Sequence, residues 1–241
     1  MIDHALLHPT LTDAALESGC EMAARYRVAS VCVKPYAVRG TAGILRGSGV
    51  ATGTVIGFPH GSPATAIKVA ETALACSDGA TEIDFVINIG KALSEDWSYL
   101  EREIRAISGE AHRHGALTKV IFETAFLPSD AIKAQLCRIS EAAGADFVKT
   151  STGFDFVKGS DGKFTTIGAT IHDLKLMRAT CSPKVQVKAS GGVRDLDTLL
   201  AVRELGVTRC GTSATQEILE EFRRRERGEA SAPARETGGG Y

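Results

Sequence analysis

The stretch ADFVKTSTG (145–153) shows the pattern on which the fold depends: a short apolar run, then a lysine, then small hydroxylated residues and glycine. VQVKASGG (185–192) repeats it, so Lys149 and Lys188 each close a strand-like run ahead of a serine and a glycine. Short apolar runs that alternate with helical patterns are typical of βα units in a parallel sheet. The two stretches therefore indicate an α/β fold with both lysines near the carboxyl ends of strands.

Similar runs, rich in Val, Ile and Phe, recur on either side of these two stretches. The predicted strands are IDHAL (2–6), RVASVCV (27–33), VATGTVIGF (50–58), TEIDFVIN (81–88), ALTKVIFE (116–123), ADFVKTS (145–151), KVQVKAS (184–190) and VTRCGTS (207–213). Helical patterns fit between them, and eight such units predict a (β/α)8 TIM barrel. The doubly wound open sheet is the alternative, but its usual nucleotide motifs, G-x-G-x-x-G and G-x-x-x-x-G-K-[ST], are missing.

Length, composition and charge narrow the class further. A chain of 241 residues that is 44% hydrophobic can form one barrel domain, which we place at residues 1–222. From residue 223 the sequence RRRERGEASAPARETGGGY is polar and without periodicity, which predicts a flexible tail over 223–241. A net charge of -1 without a basic stripe argues against nucleic acid, and no apolar run or signal peptide points to a membrane. We expect a cytoplasmic protein with a small-molecule partner.

The cysteines and histidines do not form a metal-binding pattern. The six cysteines are far apart and are interpreted as reduced, mostly buried thiols. His112 and His114 lie two apart in a helical pattern and point to different faces, while His4 and His8 flank the opening strand and are assigned local hydrogen bonds. We therefore expect no metal and no metal-dependent chemistry.

Alternation along the predicted strands turns several charged side chains inward. In TEIDFVIN the apolar residues face the helices, which directs the polar ones into the barrel. The inward set predicted in this way is Cys32, Glu82, Asp84, Asn88, Lys119, Glu123, Lys149 and Lys188. Barrel interiors are normally layers of bulky apolar side chains, so these charges indicate a site on the catalytic face. The alternative is a structural ion-pair network that plugs the barrel, although burying charges without function is costly.

The two lysines can supply the chemistry of an imine. Each ammonium disfavours the charge of the other and burial adds to the effect, so the pKa of one of them can fall well below about 10.4. A neutral lysine condenses with an aldehyde or ketone to an iminium ion, which serves as an electron sink for an adjacent carbon–carbon bond. Asp84 supplies a carboxylate for proton transfer. The pattern alone leaves open which of Lys149 and Lys188 is the nucleophile.

The last two βα loops predict a phosphate site. ASGGVRD (189–195) and CGTSATQE (210–217) present small residues at the start of helices, where backbone N–H groups bind anions. Gly191, Gly192 and Ser213 are the predicted binders, with ordinary turn and cap chemistry as the alternative. The long loop GFDFVKGSDGKFTTIGAT (153–170) is either functional or a solvated loop with exposed charges.

Several of these segments together resemble the deoxyribose-phosphate aldolase family. The resemblance runs over residues 2–222 and is carried by IDHALLHPT (2–10), EIDFVINIG (82–90), DFVKTSTGF (146–154), VKASGGVR (187–194) and GTSA (211–214). It implies a class I aldolase that reversibly cleaves 2-deoxy-D-ribose 5-phosphate to D-glyceraldehyde 3-phosphate and acetaldehyde in deoxynucleoside breakdown, without a cofactor or metal. It also implies Lys149 as the imine-forming residue, Lys188 as its proton-handling neighbour and Asp84 as the proton donor and acceptor.

The resemblance further implies phosphosugar and aldehyde substrates and a homo-oligomer, a dimer or larger. The complete predicted substrate-binding set is Cys32, Lys119, Thr150, Gly153, Gly191, Gly192 and Ser213. Tyr241 follows three glycines and resembles the mobile tail tyrosine that assists proton transfer in some members, with an unstructured end as the alternative. A different Schiff-base aldolase and a phosphosugar-binding protein on a decayed barrel are the competing functions.

Overall fold

Parallel strands close into a barrel around the charged side chains. The computed structural model describes residues 1–159 and 161–229. Its strands are β1 (Ile2–Leu6), β2 (Ser30–Val33), β3 (Ala51–Ile56), β4 (Glu82–Val86), β5 (Leu117–Ile121), β6 (Phe147–Lys149), β7 (Val157–Lys158), β8 (Phe164–Thr165), β9 (Gln186–Ser190) and β10 (Arg209–Thr212). The barrel order is β1-β10-β9-β6-β5-β4-β3-β2, while β7 and β8 pair separately. The predicted TIM barrel is confirmed.

Each predicted barrel strand is present; β1 keeps its predicted bounds, and the other seven are shorter than their predicted runs. The run from Arg27 becomes a strand only at Ser30, because Arg27 ends the first helix in a left-handed conformation with φ of 50°. The sixth strand keeps only Phe147–Lys149, since the chain leaves the ladder directly after the lysine. Strand ends are therefore set by caps and turns rather than by hydrophobicity.

The outward faces of the strands pack against a shell of helices. These are α1 (Asp13–Tyr26), α2 (Val38–Ile44), α3 (Thr65–Ser77), α4 (Ile89–Leu93), α5 (Trp97–Arg113), α6 (Asp130–Ala142), α7 (Ile171–Thr180), α8 (Leu196–Glu204) and α9 (Thr215–Glu226). Residues such as Ile83, Phe85 and Val120 are fully buried between the two layers. Among the described helices, none is long and apolar enough to cross a membrane.

The predicted start of the tail at residue 223 is wrong. Helix α9 continues to Glu226, and its basic residues lie in the last turn, where cations interact favourably with the helix dipole. Arg225 bonds Asp197 of α8 at 2.6 Å and Arg223 bonds Glu220 at 2.9 Å. The run of charged residues from 223 to 226 suggested a flexible segment, whereas these residues form the last turn of the helix. Tyr241 and the rest of 230–241 lie outside the described residues.

The long loop after β6 contains an antiparallel hairpin that the sequence did not suggest. Val157 pairs with Thr165 and Lys158 with Phe164. At its base, the Asp155 carboxylate accepts the backbone N–H groups of Ile167 and Gly168 at 2.8 and 2.9 Å. The segment is thereby folded back onto the mouth of the barrel, and we call residues 153–170 the hairpin loop.

Candidate active site

Asp84 of β4 lies at the centre of the charged interior. Its Oδ1 accepts a hydrogen bond from Lys119 at 2.7 Å, and its Oδ2 accepts one from Lys149 and one from Lys188 at 2.8 Å each. The strand register explains this meeting, because Asp84 pairs with Lys119 across β4 and β5 and Lys149 with Lys188 across β6 and β9. All four side chains are almost completely buried. The structure thus brings the three predicted catalytic residues together.

A second layer of charges surrounds this centre, and sequence reasoning had missed two of its members. Asp3 of β1 lies 2.6 Å from Lys188, and Arg209 of β10 bonds Glu82 at 2.8 Å and also contacts Asp3. Lys119 donates to Glu82 at 2.7 Å. The sequence did contain a signal for both: Asp3 in the first predicted strand and Arg209 in the last are charged residues at inward positions.

The ion-paired cluster around Asp84 holds one more cation than it has carboxylates. Within the described barrel interior, Asp3, Glu82 and Asp84 face Lys119, Lys149, Lys188 and Arg209. Loss of one lysine proton therefore makes the cluster electrically neutral. Burial opposes the charge of Asp84, but the ammonium groups of Lys119, Lys149 and Lys188 hold its pKa well below the usual range. Asp84 is accordingly an ionised carboxylate at neutral pH.

The two lysines on Asp84 differ in their pKa directions. Burial lowers the pKa of Lys149, and the attraction of Asp84 does not overcome burial together with the repulsion of Lys188. Burial also acts on Lys188, but the carboxylates of Asp3 and Asp84 outweigh it and raise its pKa. Lys149 is therefore the lysine that loses its proton more easily, and Lys188 remains an ammonium.

A cavity of about 460 Å³ opens above these lysines on the face formed by the carboxyl ends of the strands. Lys149 and Lys188 are part of its wall, whereas Asp84 lies behind them. Of the predicted substrate-binding residues, the cavity wall includes Cys32, Gly153, Gly191, Gly192 and Ser213. Arg194, which sequence reasoning did not select, adds a cation to this wall two residues after Gly192.

The glycines of the wall adopt conformations that other residues rarely take. Gly153, Gly191 and Gly192 have φ values of 85°, 83° and 85°. Gly168 of the hairpin loop packs directly on Gly191, where a Cβ on Gly168 would lie 2.6 Å from the carbonyl carbon and oxygen of Gly191. Ala169 N–H donates to Gly191 O at 3.0 Å. The hairpin loop and the loop after β9 thus form one continuous backbone surface.

The structure does not place two of the predicted binders at the cavity wall. Thr150 directly follows Lys149 and therefore points to the opposite side of the strand. Its hydroxyl donates to Ser190 O at 3.1 Å and accepts from Ser190 N–H at 3.0 Å, which joins the ends of β6 and β9. Lys119 lies below the cavity, engaged with Glu82 and Asp84. We therefore correct the prediction that these two side chains contact substrate directly.

Cys32 forms a neutral part of the wall. Burial, followed by the nearby charge of Asp84, raises the pKa of its thiol to about 11. The group therefore remains a protonated thiol at neutral pH and behaves as a small, weakly polar side chain.

His8 makes a local contact as predicted, whereas His4 contacts helix α9, far away along the chain. His4 Nδ1 lies 2.9 Å from Thr215 Oγ1, and His8 Nδ1 lies 2.7 Å from Thr10 Oγ1. His112 contacts Asp146 at 2.8 Å, and His114 contacts Glu110 at 3.2 Å.

Comparison with known proteins assigns this site to a family. A family model described as DeoC/LacD family aldolase matches residues 1–208. The chain belongs to the DeoC/LacD aldolase family. Among curated members, it is 50% identical to the deoxyribose-phosphate aldolase of Rhodopirellula baltica, covering 93% of this chain and 88% of that protein. It is 46% identical to the deoxyribose-phosphate aldolase of Clostridium perfringens strain 13, covering 91% and 93% respectively.

Solved structures of DeoC/LacD relatives share the same barrel. A putative deoxyribose-phosphate aldolase from Coccidioides immitis superposes with a TM-score of 0.85 at 35% identity, covering 92% of this chain and 84% of that one. The deoxyribose phosphate aldolase from Aeropyrum pernix, described as a unique tetramer, gives 0.81 at 31% identity, with 92% and 89% covered. The chain is therefore an aldolase, a lyase that acts on carbon–carbon bonds.

Proposed function

We propose that this aldolase reversibly cleaves 2-deoxy-D-ribose 5-phosphate to D-glyceraldehyde 3-phosphate and acetaldehyde through a Schiff base on Lys149. The observation that carries the proposal is the single oxygen Asp84 Oδ2, which lies 2.8 Å from both Lys149 Nζ and Lys188 Nζ. One carboxylate shared by two buried lysines lets one lysine be a neutral nucleophile while the other stays cationic. The names of the curated relatives support the choice of substrate.

Neutral Lys149 begins the reaction by adding its Nζ to the C1 aldehyde of the sugar phosphate. Loss of water from the resulting carbinolamine gives an iminium ion between C1 and Nζ. The C3 hydroxyl then loses its proton, a carbonyl forms at C3, and the C2–C3 bond breaks with its electron pair moving toward the iminium nitrogen. D-Glyceraldehyde 3-phosphate leaves an enamine on Lys149. Protonation of C2 and hydrolysis of the imine release acetaldehyde and restore the amine.

Asp84 and Lys188 move the protons that these steps require. The neighbouring ammonium groups hold Asp84 as a carboxylate. It can therefore accept a proton from Lys188, which in turn takes up the proton released by the carbinolamine or by the C3 hydroxyl. Lys188 keeps its own proton through Asp3 and Asp84 and can return one to the enamine carbon. The iminium supplies the electron sink, and the proposal includes no metal or cofactor.

The glycine-lined end of the cavity binds the phosphate in this proposal. Gly153, Gly191, Gly192 and Ser213 are wall residues on loops whose backbone N–H groups can face an anion. The Arg194 guanidinium adds a charge of the sign that a phosphate requires. The sugar phosphate would then extend from Lys149 at one end to the loops at the other.

The proposal also covers the setting of the reaction. We place the enzyme in the cytoplasm, in the breakdown of deoxyribonucleosides, as a homo-oligomer that acts on small molecules rather than nucleic acid. The deoxyribose phosphate aldolase from Aeropyrum pernix is a tetramer, which supports an oligomeric state for this protein. A measured solution mass equal to that of one chain would argue against this part of the proposal.

A donor panel tests the proposed reaction. Release of glyceraldehyde 3-phosphate is followed with a coupled dehydrogenase from 2-deoxy-D-ribose 5-phosphate and from other phosphorylated sugars and keto acids. We expect 2-deoxy-D-ribose 5-phosphate to give the highest kcat/KM of the panel. For Lys149→Met, we expect kcat/KM with this substrate to fall by a factor of at least about 10⁴. Cleavage of another donor in preference, or full activity of the Met variant, would overturn the proposal.

A further inference from the structure

A buried carboxyl group beside the catalytic strand is not used in the reaction above. Glu123 follows β5 in a left-handed conformation with φ of 45°, which L-residues adopt only when the surroundings hold them there. Its side chain is 1% exposed. Both carboxylate oxygens turn toward the segment after Lys149.

Among the described residues, the hydrogen bonds of the Glu123 carboxylate are with Thr152. Thr152 N–H donates to Glu123 Oε1 at 3.2 Å and more weakly to Oε2 at 3.4 Å, and the Thr152 hydroxyl also donates to Oε2. Thr152 is a wall residue of the cavity, three positions after Lys149. Glu123 thus reaches the cavity through the hydroxyl of Thr152.

The contacts of Thr152 decide the direction of its hydroxyl hydrogen. Phe154 N–H donates to Thr152 Oγ1 at 2.9 Å, which occupies one lone pair. While Glu123 is ionised, its carboxylate can only accept hydrogen bonds, so the Thr152 hydroxyl donates its single proton to Glu123. A hydroxyl oxygen has two lone pairs, so Thr152 Oγ1, as part of the cavity wall, has the capacity to accept one further hydrogen bond.

We propose that Glu123 is a positioning residue that fixes Thr152 as a hydrogen-bond acceptor, and that this acceptor selects aldehydes bearing a hydroxyl next to the carbonyl. Thr152 lies in the chain between Lys149, where carbon–carbon chemistry occurs, and Gly153, at the phosphate end. In D-glyceraldehyde 3-phosphate the hydroxyl between the carbonyl and the phosphate is on C2. The inference rests on the proposed function and adds a determinant of specificity to it.

The same arrangement responds to pH. Burial, together with the repulsion of Asp155, raises the pKa of Glu123 to about 7, although the bonds from Thr152 and the ammonium of Lys149 oppose the rise. Of the described charged groups, Asp155 on the hairpin loop and Lys149 on β6 act most strongly on Glu123. When Glu123 is protonated, it can donate to Thr152 Oγ1, and the Thr152 hydroxyl is released to act as a donor.

The test compares two aldehydes in condensation with acetaldehyde. D-Glyceraldehyde 3-phosphate carries the C2 hydroxyl and 3-oxopropyl phosphate lacks it, so the ratio of their kcat/KM values reports the hydroxyl alone. Glu123→Gln keeps the shape of the side chain but can donate its amide N–H to Thr152, which reverses the polarity. We expect this ratio to fall about tenfold in Glu123→Gln. Asp161→Asn, on the exposed tip of the hairpin, is the matched control and should keep the wild-type ratio.

An unchanged ratio in Glu123→Gln, or an equal fall in both variants, overturns the inference. Should Glu123→Gln not fold, the wild-type ratio decides: it should fall as the pH drops through about 7, and a flat ratio overturns the inference. Steps common to both aldehydes cancel in this ratio. Borohydride trapping separates the two proposals, because absence of an adduct in the wild type refutes the proposed function, whereas an adduct with an unchanged ratio refutes only the role of Glu123.

Discussion

At the scale of single residues, Asp3 sets the distribution of protons in the site. Its carboxylate lies 2.6 Å from Lys188 and also contacts Arg209, so Lys188 has a second carboxylate besides Asp84. Burial opposes the charge of Asp3, yet Lys188, Lys119 and Arg209 hold its pKa below the usual range. Asp3 is therefore the reason that two lysines with equivalent strand positions have opposite pKa shifts.

Removing that carboxylate should reduce the difference between the lysines. In Asp3→Asn, Lys188 keeps only its share of Asp84, so its pKa should fall and the difference between the two lysines should shrink. We expect kcat to drop about 100-fold, because less of the enzyme then combines a neutral Lys149 with a charged Lys188, and we expect the pH profile to move to lower pH, because loss of a carboxylate favours neutral amines. Asp13→Asn, on the exposed first turn of α1, is the control. Wild-type kcat and an unmoved profile in a folded Asp3→Asn protein would contradict this role.

Much of this site could be predicted from the order of residues along each strand, but not its asymmetry. Side chains alternate along a strand, so Asp84, Lys149 and Lys188 point inward when their apolar neighbours face the helices. Asp3 and Arg209 belong to the strands that close the barrel, and their contacts exist only after closure. Thr150 shows the limit of motif resemblance, since it belongs to the motif yet points away from the cavity.

At the scale of elements, the hairpin loop depends on its contact with the loop after β9. A Cβ on Gly168 would lie 2.6 Å from backbone atoms of Gly191, so Gly168→Ala should push the two loops apart. We expect KM for the sugar phosphate to rise about tenfold or more, with a smaller change in kcat. Gly162 in the same loop has a similar positive φ of 78° but open space around it. Gly162→Ala therefore carries the same backbone strain without the clash, and an equal rise of KM there would refute the role of this contact.

The packing of β1 against α9 should make stability depend on pH. Burial lowers the pKa of His4, which contacts Thr215 of α9, from 6.5 to about 4. Between pH 6.5 and about 4, His4 is protonated in the unfolded chain but neutral in the folded one. The free energy of unfolding therefore decreases as the pH falls through this range. The loss should be roughly 3 kcal/mol in the free energy of unfolding. Urea titrations of wild type and His4→Asn across this range check it, and parallel pH dependences would contradict it.

The barrel strands could be predicted from the sequence, whereas the hairpin and the end of α9 could not. Short apolar or alternating runs located every barrel strand, since the outward face of each strand packs against the helices. The hairpin was missed because β7 and β8 have two residues each and depend on the Asp155 anchor, which is a contact rather than a pattern. Helix α9 was cut short because its final turn is stabilised by charges instead of apolar periodicity.

At the scale of the whole molecule, the barrel concentrates charge where a fold normally concentrates apolar bulk. The helices and outward strand faces supply the hydrophobic core, and the interior is occupied by the ionic cluster around Asp84. Such a cluster is a poor source of stability, because desolvation offsets much of the Coulomb attraction. In the proposed mechanism, the cluster lowers the pKa of Lys149 beside a lysine whose pKa is raised. We therefore infer that the folded barrel selects Lys149 for covalent chemistry.

Borohydride trapping identifies the lysine that forms the covalent bond. The full chain is incubated with 2-deoxy-D-ribose 5-phosphate, reduced, digested and analysed by mass spectrometry to locate the modified lysine. We predict a reduced adduct on Lys149, with Lys188 unmodified. An adduct on Lys188 instead, or none on a folded protein, would contradict the account.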